Sequence, residues 1–178
     1  MAGASYDFGT GFTAAVGYAG PEGGIMTEES MDAYGINAAY TGDNYGVSLT
    51  YGVLETSTTD EDTFTAFNAY YTPEGFPSIS VGYEIGEAQG LPELTQWFVG
   101  LQWDEAGPGT LGTALGTVGA SQNAVNPTVN DPELLMYEVF YSYALNDGMT
   151  ITPLIYTKET VSGTEDKTGY MVKTSFSF

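Results

Sequence analysis

The chain has 178 residues, of which 23 are acidic and three are basic, and it contains neither His nor Cys. Without an imidazole or a thiol, Ser-His-Asp triads, Cys-His pairs and the usual zinc sites are excluded. The formal net charge of -20 excludes nucleic acid as a partner, because duplex binding depends on Lys and Arg at the phosphates. A disordered acidic segment is also excluded, because such segments contain few aromatic residues and this chain is 14% aromatic.

The length predicts a single domain over residues 1–178. No stretch approaches the roughly 18 apolar residues of a membrane helix, since even Leu134–Leu145 is interrupted by Glu138 and Ser142. The first residues, Met1–Ala4, lack the basic and apolar regions of a signal peptide. We therefore expect the sequence of a mature form or of a fragment.

An alternation of bulky and small residues predicts about ten β-strands. In the first, Tyr6–Tyr18, one face carries bulky side chains together with Phe8 and Thr10, and the other carries small residues and Asp7. The nine strands that follow are at residues 34–40, 45–53, 63–71, 78–85, 96–103, 110–119, 135–143, 149–158 and 169–178. The pattern assigns no faces to three of these strands, at residues 63–71, 110–119 and 149–158. Pro153 is also unusual in a central strand.

The connections between the strands alternate in length. Short ones contain the Gly, Pro, Asn and Asp that tight turns need and fall at residues 41–44, 72–77, 105–109 and 146–148. Longer ones fall at residues 19–30, 55–62, 86–93, 120–132 and 159–166. Short turns on one rim and long loops on the other are typical of the bacterial outer membrane, so an all-β, antiparallel up-and-down transmembrane β-barrel is predicted.

Alternation alone does not say which face of the strands looks outward, since a soluble barrel or a β-sandwich turns its apolar face inward. Here the polar face is mostly Gly, Ser, Thr and Ala, whereas a soluble exterior is rich in Lys, Arg and Glu. The bulky face carries aromatic residues six positions apart, a spacing that approaches the height of the ~25 Å apolar band between interfacial girdles. The predicted aromatic girdle is Tyr34, Tyr40, Tyr45, Tyr51, Trp97, Trp103, Tyr137, Tyr143, Tyr170 and Phe176.

The last strand ends on Phe178, in register with the bulky residues of the same face. This ending resembles the carboxy-terminal β-signal that the bacterial barrel-assembly machinery recognises. The resemblance implies a periplasmic carboxyl terminus and places the long acidic loops on the cell exterior. The residues of the implied assembly signal are Tyr170, Val172, Phe176 and Phe178.

Several segments resemble the carboxy-terminal barrel of OprB-type porins, particularly the cyanobacterial porins that carry an S-layer-homology domain. These segments keep the same order within roughly residues 60–178 and are residues 69–83, 97–104, 130–132, 143–153 and 172–178. The resemblance implies passive diffusion of small hydrophilic solutes, sugars or inorganic ions, across the outer membrane. The chain departs from that family in having no S-layer-homology domain or stalk, and about ten strands instead of sixteen or so. The sequence does not decide between a narrow ten-stranded barrel and part of a larger porin barrel.

Polar side chains on the small-residue face are the candidate pore-lining residues. In a wet lumen they would favour cations weakly, because acids outnumber bases and no Arg is present to form a basic ladder. In a narrow barrel they would instead hydrogen-bond to neighbouring strands and fill the lumen, and this alternative stays open. The candidates are Asp7, Asn37, Glu84, Gln96, Gln102, Glu138 and Lys173.

The acidic run Asp60–Asp62 has the ligand type that calcium prefers, but no known calcium-loop spacing surrounds it, so we expect solvated loop charge, no metal site and no cofactor. An enzyme is not expected either, because the barrel enzymes of the outer membrane use His. A carboxylate-only glycosidase would need two inner acids at a suitable separation.

A non-conducting structural or adhesive barrel with acidic external loops is the alternative function, since small barrels are usually filled by side chains. The expected partners are outer-membrane lipid, the barrel-assembly machinery, small hydrophilic solutes and, by analogy with other porins, two further copies in a homotrimer.

Overall fold

The computed structural model describes residues 1–20, 32–55, 60–90, 93–118, 134–160 and 165–177. They form one sheet of eleven antiparallel strands in which each strand pairs with the next in the chain, so the predicted all-β, up-and-down fold is confirmed. The strands are β1 (Ala2–Asp7), β2 (Phe12–Ala19), β3 (Ala33–Thr41), β4 (Tyr45–Glu55), β5 (Glu61–Tyr71), β6 (Ser78–Glu87), β7 (Leu94–Ala106), β8 (Gly109–Val118), β9 (Leu134–Asn146), β10 (Met149–Lys158) and β11 (Lys167–Phe176). None of the described residues belongs to a helix that is long and apolar enough to cross a membrane.

The first predicted strand, Tyr6–Tyr18, is in fact two strands joined by a tight turn. The chain reverses at Gly9 and Gly11, whose φ angles of 72° and 81° lie in a region that glycine adopts without a steric cost. The prediction that Phe8 and Thr10 continue the strand is therefore wrong. The alternation did not reveal the turn because bulky residues keep an even spacing through it.

Cross-strand register divides the side chains between two faces, because residues directly opposite each other in neighbouring strands point to the same side. One row on the first face is Val16, Ile36, Tyr51, Thr65 and Ile85. The adjacent row on the second face is Ala15, Asn37, Thr50, Ala66, Glu84 and Gln96. We call the face that contains the first row the apolar face and the face that contains the second row the mixed face.

The strands are tilted relative to the rims of the sheet. One row on the mixed face crosses all eleven strands, from Asp7, the last residue of β1, to Lys167, the first residue of β11. The row therefore moves from the short-turn rim to the long-loop rim. The nine residue-to-residue steps from Lys167 to Phe176 correspond to about 30 Å along the strand, and this shift accumulates over ten strand-to-strand steps of about 4.8 Å each. The resulting tilt of roughly 30° approaches the 35–45° that is typical of outer-membrane barrels.

The sheet is not closed, since no pairing joins β1 to β11 in the described part of the chain. Strand direction alternates, so these two odd-numbered strands both run from the long-loop rim to the short-turn rim. Strands that run in the same direction cannot pair with each other antiparallel. The arrangement is consistent with part of a larger barrel, which was one of the two alternatives that the sequence left open.

Pro153 does lie inside a paired strand, β10, opposite Val172 of β11. On the other side of β10, the ladder to β9 shows no backbone pairing at Thr152 and Pro153, as expected where a proline has no N–H to donate. A side-chain hydrogen bond bridges this position, because the Thr152 hydroxyl donates to Ser142 Oγ at 3.1 Å. The awkward proline is thus accommodated by a local gap in one ladder.

Candidate pore-lining face

Charged residues are distributed unequally between the two faces. On the apolar face of the described strands they occur only at strand ends, at Glu55, Glu61 and Glu87. Glu105 lies in the bulge beside the β7–β8 turn, where the register assigns no face. The mixed face carries charges in strand interiors as well. Those on the mixed face are the acids Asp7, Asp62, Glu84, Asp104 and Glu138 and the bases Lys158, Lys167 and Lys173.

The described strands enclose almost no conventional hydrophobic core. Val53, 6% exposed, is the one buried hydrophobic residue in the described part of the chain, and Val16, Ile36 and Leu49 on the apolar face are more than half exposed. No second sheet covers these side chains, because all described strands belong to one sheet. A β-sandwich, which buries its apolar face between two sheets, does not fit this arrangement.

Cavities lie along the mixed face of the sheet. Two of them, of about 190 and 270 Å³, are lined mainly by residues of this face and share Asn68 and Phe98. A larger cavity, of about 900 Å³, lies at the long-loop rim of β1 to β6 and is lined by residues of both faces, among them Phe64 of the mixed face and Tyr34 and Val53 of the apolar face. Hollows on the charged, small-residue side are what an inner wall requires.

All seven candidate pore-lining residues lie on the mixed face. One row of cross-strand partners contains Asn37, Glu84 and Gln96, and within it Glu84 lies directly opposite Gln96. The Asn37 amide donates to Thr50 Oγ1 at 2.8 Å, so this side chain lies along the wall. Their role in lining a pore stays a prediction.

The other four candidates lie on the same face but on different rows. Gln102 Nε2 donates to Asp104 Oδ1 at 2.7 Å, which keeps the amide near the short-turn end of β7. Glu138 is paired with Ala114 and Tyr156. The remaining two are Asp7, opposite Thr13, and Lys173, opposite Thr152.

All ten predicted girdle residues lie on the apolar face, and they fall into two bands. Nearer the short turns are Tyr40, Tyr45, Trp103, Tyr143 and Phe176; nearer the long loops are Tyr34, Tyr51, Trp97, Tyr137 and Tyr170. The rings of Tyr40 and Tyr45 pack against each other with centroids 5.7 Å apart. Seven further rings on this face were not predicted as girdle residues: Tyr6, Phe12, Tyr18, Phe67, Tyr71, Tyr83 and Tyr141.

Three of the four residues of the implied assembly signal can be placed. Tyr170, Val172 and Phe176 are on the apolar face of β11, and each is more than 60% exposed. Phe178 lies outside the described residues. Because β11 is an edge strand of this sheet, the three side chains form a bulky strip at its margin, interrupted only by Thr174.

Sequence reasoning missed several residues of the mixed face. Lys158 and Lys167 are direct cross-strand partners at the long-loop rim, although like charges opposite each other are unfavourable. Phe64, Tyr70 and Tyr156 also lie on this face. Their strands carry bulky residues on both sides, so alternation alone held no signal that could have placed them.

The described residues hold no group of three or more His, Cys, Asp or Glu side chains that could bind a metal ion. Chemically, the mixed face offers carboxylates, amides, hydroxyls and three ammonium groups along a wall of tilted strands. This arrangement suits contact with water and small solutes on one side of the sheet and contact with hydrocarbon on the other. Tilted antiparallel strands with these two faces define the wall of an outer-membrane type of β-barrel.

Comparison with known families agrees with this class. A family model described as Gram-negative porin matches residues 1–161, and the chain therefore belongs to the Gram-negative porin family. Neither a curated protein nor a solved structure matches the chain. The family implies a channel rather than an enzyme, and it points to the outer membrane.

Proposed function

We propose that the chain forms the wall of a passive channel through the outer membrane, with its apolar face against lipid and its mixed face towards water. The solutes are small and hydrophilic, ions and sugars among them. The observation that carries the proposal is the restriction of strand-interior charge to the mixed face, as at Glu84, Glu138 and Lys173.

Energetics supports this orientation. A lysine or arginine on the lipid face costs about 2–4 kcal/mol at the bilayer midplane, whereas changes on the lumen side alter selectivity. Between their rims, the described strands place only uncharged side chains on the apolar face. The opposite orientation would bring Glu84 and Glu138 into hydrocarbon while leaving Ile36 and Leu49 in water.

Charge on the wall favours weak selectivity for cations. The mixed face carries five acids and three lysines on the described strands, and the whole chain has a formal net charge of -20. Rings of carboxylates attract cations and repel anions. Reversal potentials in planar bilayers under a KCl gradient should therefore indicate cation preference, and anion preference would contradict the proposal.

The likeness of residues 69–83 and 97–104 to OprB-type porins supports sugars as part of the solute range. Liposome swelling with saccharides of increasing size tests this directly. Rapid swelling with monosaccharides that falls off with chain length is the expected result. Swelling by salts alone would restrict the channel to ions.

Membrane lipid, the barrel-assembly machinery and two further copies of the chain are the proposed partners. The exposed bulky strip on β11, formed by Tyr170, Val172 and Phe176, supports recognition by the assembly machinery. Deleting this strip should leave the protein unassembled in membranes while it is still exported. Chemical crosslinking in native membranes should yield a trimer.

The experiment that decides between a channel and a non-conducting barrel is single-channel recording of the full-length protein in planar bilayers. Discrete ionic steps are the expected result. Silence from protein that is folded, as judged by heat-modifiable gel mobility, would overturn the channel and favour a structural or adhesive barrel.

A further inference from the structure

Five aromatic side chains on the mixed face share one feature: each is the direct cross-strand partner of a glycine. The pairs are Gly46 with Tyr70, Gly52 with Phe64, Gly82 with Phe98, Gly112 with Phe140, and Gly169 with Tyr156. All five join strands that are connected by a long loop, either β4–β5, β6–β7, β8–β9 or β10–β11.

Each ring occupies the space that a side chain on its glycine would need. A Cβ built on Gly46 would lie 2.8 Å from Cζ of Tyr70, and one built on Gly112 would lie 2.8 Å from Cε2 of Phe140. Non-bonded carbon atoms prefer separations of about 3.5–4.0 Å. The rings therefore lie over the glycine backbone, as in the known rescue of strand glycines by neighbouring aromatic residues.

Burial agrees with this arrangement for four of the five glycines. Gly46, Gly52, Gly82 and Gly112 are buried in a sheet that buries few other residues. Gly17 lies on the same face, has glycines instead of rings as its cross-strand partners, and is exposed, with no atom within 4 Å of a Cβ built on it.

Three of the five rings are exposed on the side that faces away from the glycine. On the mixed face, Phe64, Tyr70 and Phe98 are 41%, 44% and 41% exposed. Two of them have a second glycine opposite on their other neighbour, Gly86 for Phe64 and Gly116 for Phe98. Phe64 and Phe98 therefore have a glycine on both neighbouring strands, and no cross-strand side chain prevents either ring from lying against the backbone.

We propose that the five glycines are positioning residues that hold the aromatic rings flat against the inner wall and so set the clearance of the water path. The inference rests on the proposed function, in which the mixed face encloses that path. A side chain at any of these glycines forces the ring off its rotamer, and the open direction is towards the lumen. The aromatic rings then narrow the channel instead of lining it.

The test uses Gly52 and Phe64, because the three atoms nearest to a Cβ built on Gly52 all belong to Phe64. Gly52→Ala should lower single-channel conductance of the full-length protein. Adding Phe64→Ala to Gly52→Ala should restore conductance to the wild-type value or above. Gly17→Ala, the matched control on the same face, should leave it unchanged. If Gly52 had a purely structural role, Gly52→Ala would alter the heat-modifiable gel mobility, and adding Phe64→Ala would not restore conductance.

Wild-type conductance in folded Gly52→Ala would overturn the proposal, as would a double variant that stays as low as the single one. If Gly52→Ala does not assemble, the same comparison applies to Gly169→Ala with Tyr156→Ala. A silent wild-type protein would overturn the proposed function instead. Even then, a double-mutant cycle on unfolding decides whether Gly52 positions Phe64, since additive losses would show that the two sites are independent.

Discussion

A lysine at Leu49 tests directly which face of the sheet touches lipid. Leu49 is on the apolar face of β4, 53% exposed, four residues from Tyr45 at one strand end and six from Glu55 at the other. At about 3.3 Å per residue and a tilt of roughly 30°, these separations correspond to about 11 Å and 17 Å along the membrane normal. The side chain is therefore near the middle of the ~25 Å apolar band.

We expect Leu49→Lys to reduce the free energy of unfolding from lipid by about 2–4 kcal/mol, the cost of a lysine near the bilayer midplane. Ser48→Lys, one residue away on the mixed face, is the matched control. Its ammonium group faces water, so the expected loss is about 0.5 kcal/mol or less. Urea titration of protein folded into vesicles, followed by tryptophan fluorescence, measures both. Equal losses for the two variants, or a larger loss for Ser48→Lys, would refute the assignment of the faces.

Three further predictions concern single residues. Tyr18→Phe removes a 2.8 Å hydrogen bond to the largely buried Asp32 and should lower the free energy of unfolding by about 1.5–3 kcal/mol in urea titration; an unchanged midpoint would contradict it. Gly11→Ala places a Cβ against a backbone carbonyl, whereas Gly9→Ala meets no atom within 4 Å, so Gly11→Ala should lower the free energy of unfolding more than Gly9→Ala, by on the order of 1–3 kcal/mol; equal Tm values for the two variants would contradict it. Glu138→Gln removes a negative charge from the mixed face and should shift the reversal potential towards anions; no shift would argue that this carboxylate is remote from the water path.

Much of the fold could be predicted from the sequence because membrane strands with one apolar face impose a strong period of two. The assignment of Asn37, Glu84 and Glu138 to one face followed from that period alone. The turn at Gly9 and Gly11 was missed for the same reason, since its bulky neighbours stay in phase. Two glycines within three residues were the local signal that it was there.

Three aromatic rings of the mixed face, Phe64, Tyr70 and Tyr156, could not be placed from the sequence. The segment around Phe64, Phe67 and Tyr70 carries rings on both faces, so its periodicity does not assign either face to the lumen. Recognising that a ring faces a glycine requires the register between two strands, and a long loop separates those strands in the chain. Register is set by pairing across that gap rather than by any local pattern.

In the proposed channel, the tilt of the strands also sets the order in which a solute meets the polar groups of the wall. On the mixed face, side chains at equal height belong to strands that are not neighbours: Asn37 is four residues from the short-turn end of β3, and Gln102 is four residues from that of β7. A solute that enters such a channel from the long-loop side would meet the polar groups in order of height and not in order of pairing. The succession is Gln96, Glu138, Glu84, Asn37 together with Gln102, Lys173 and finally Asp7.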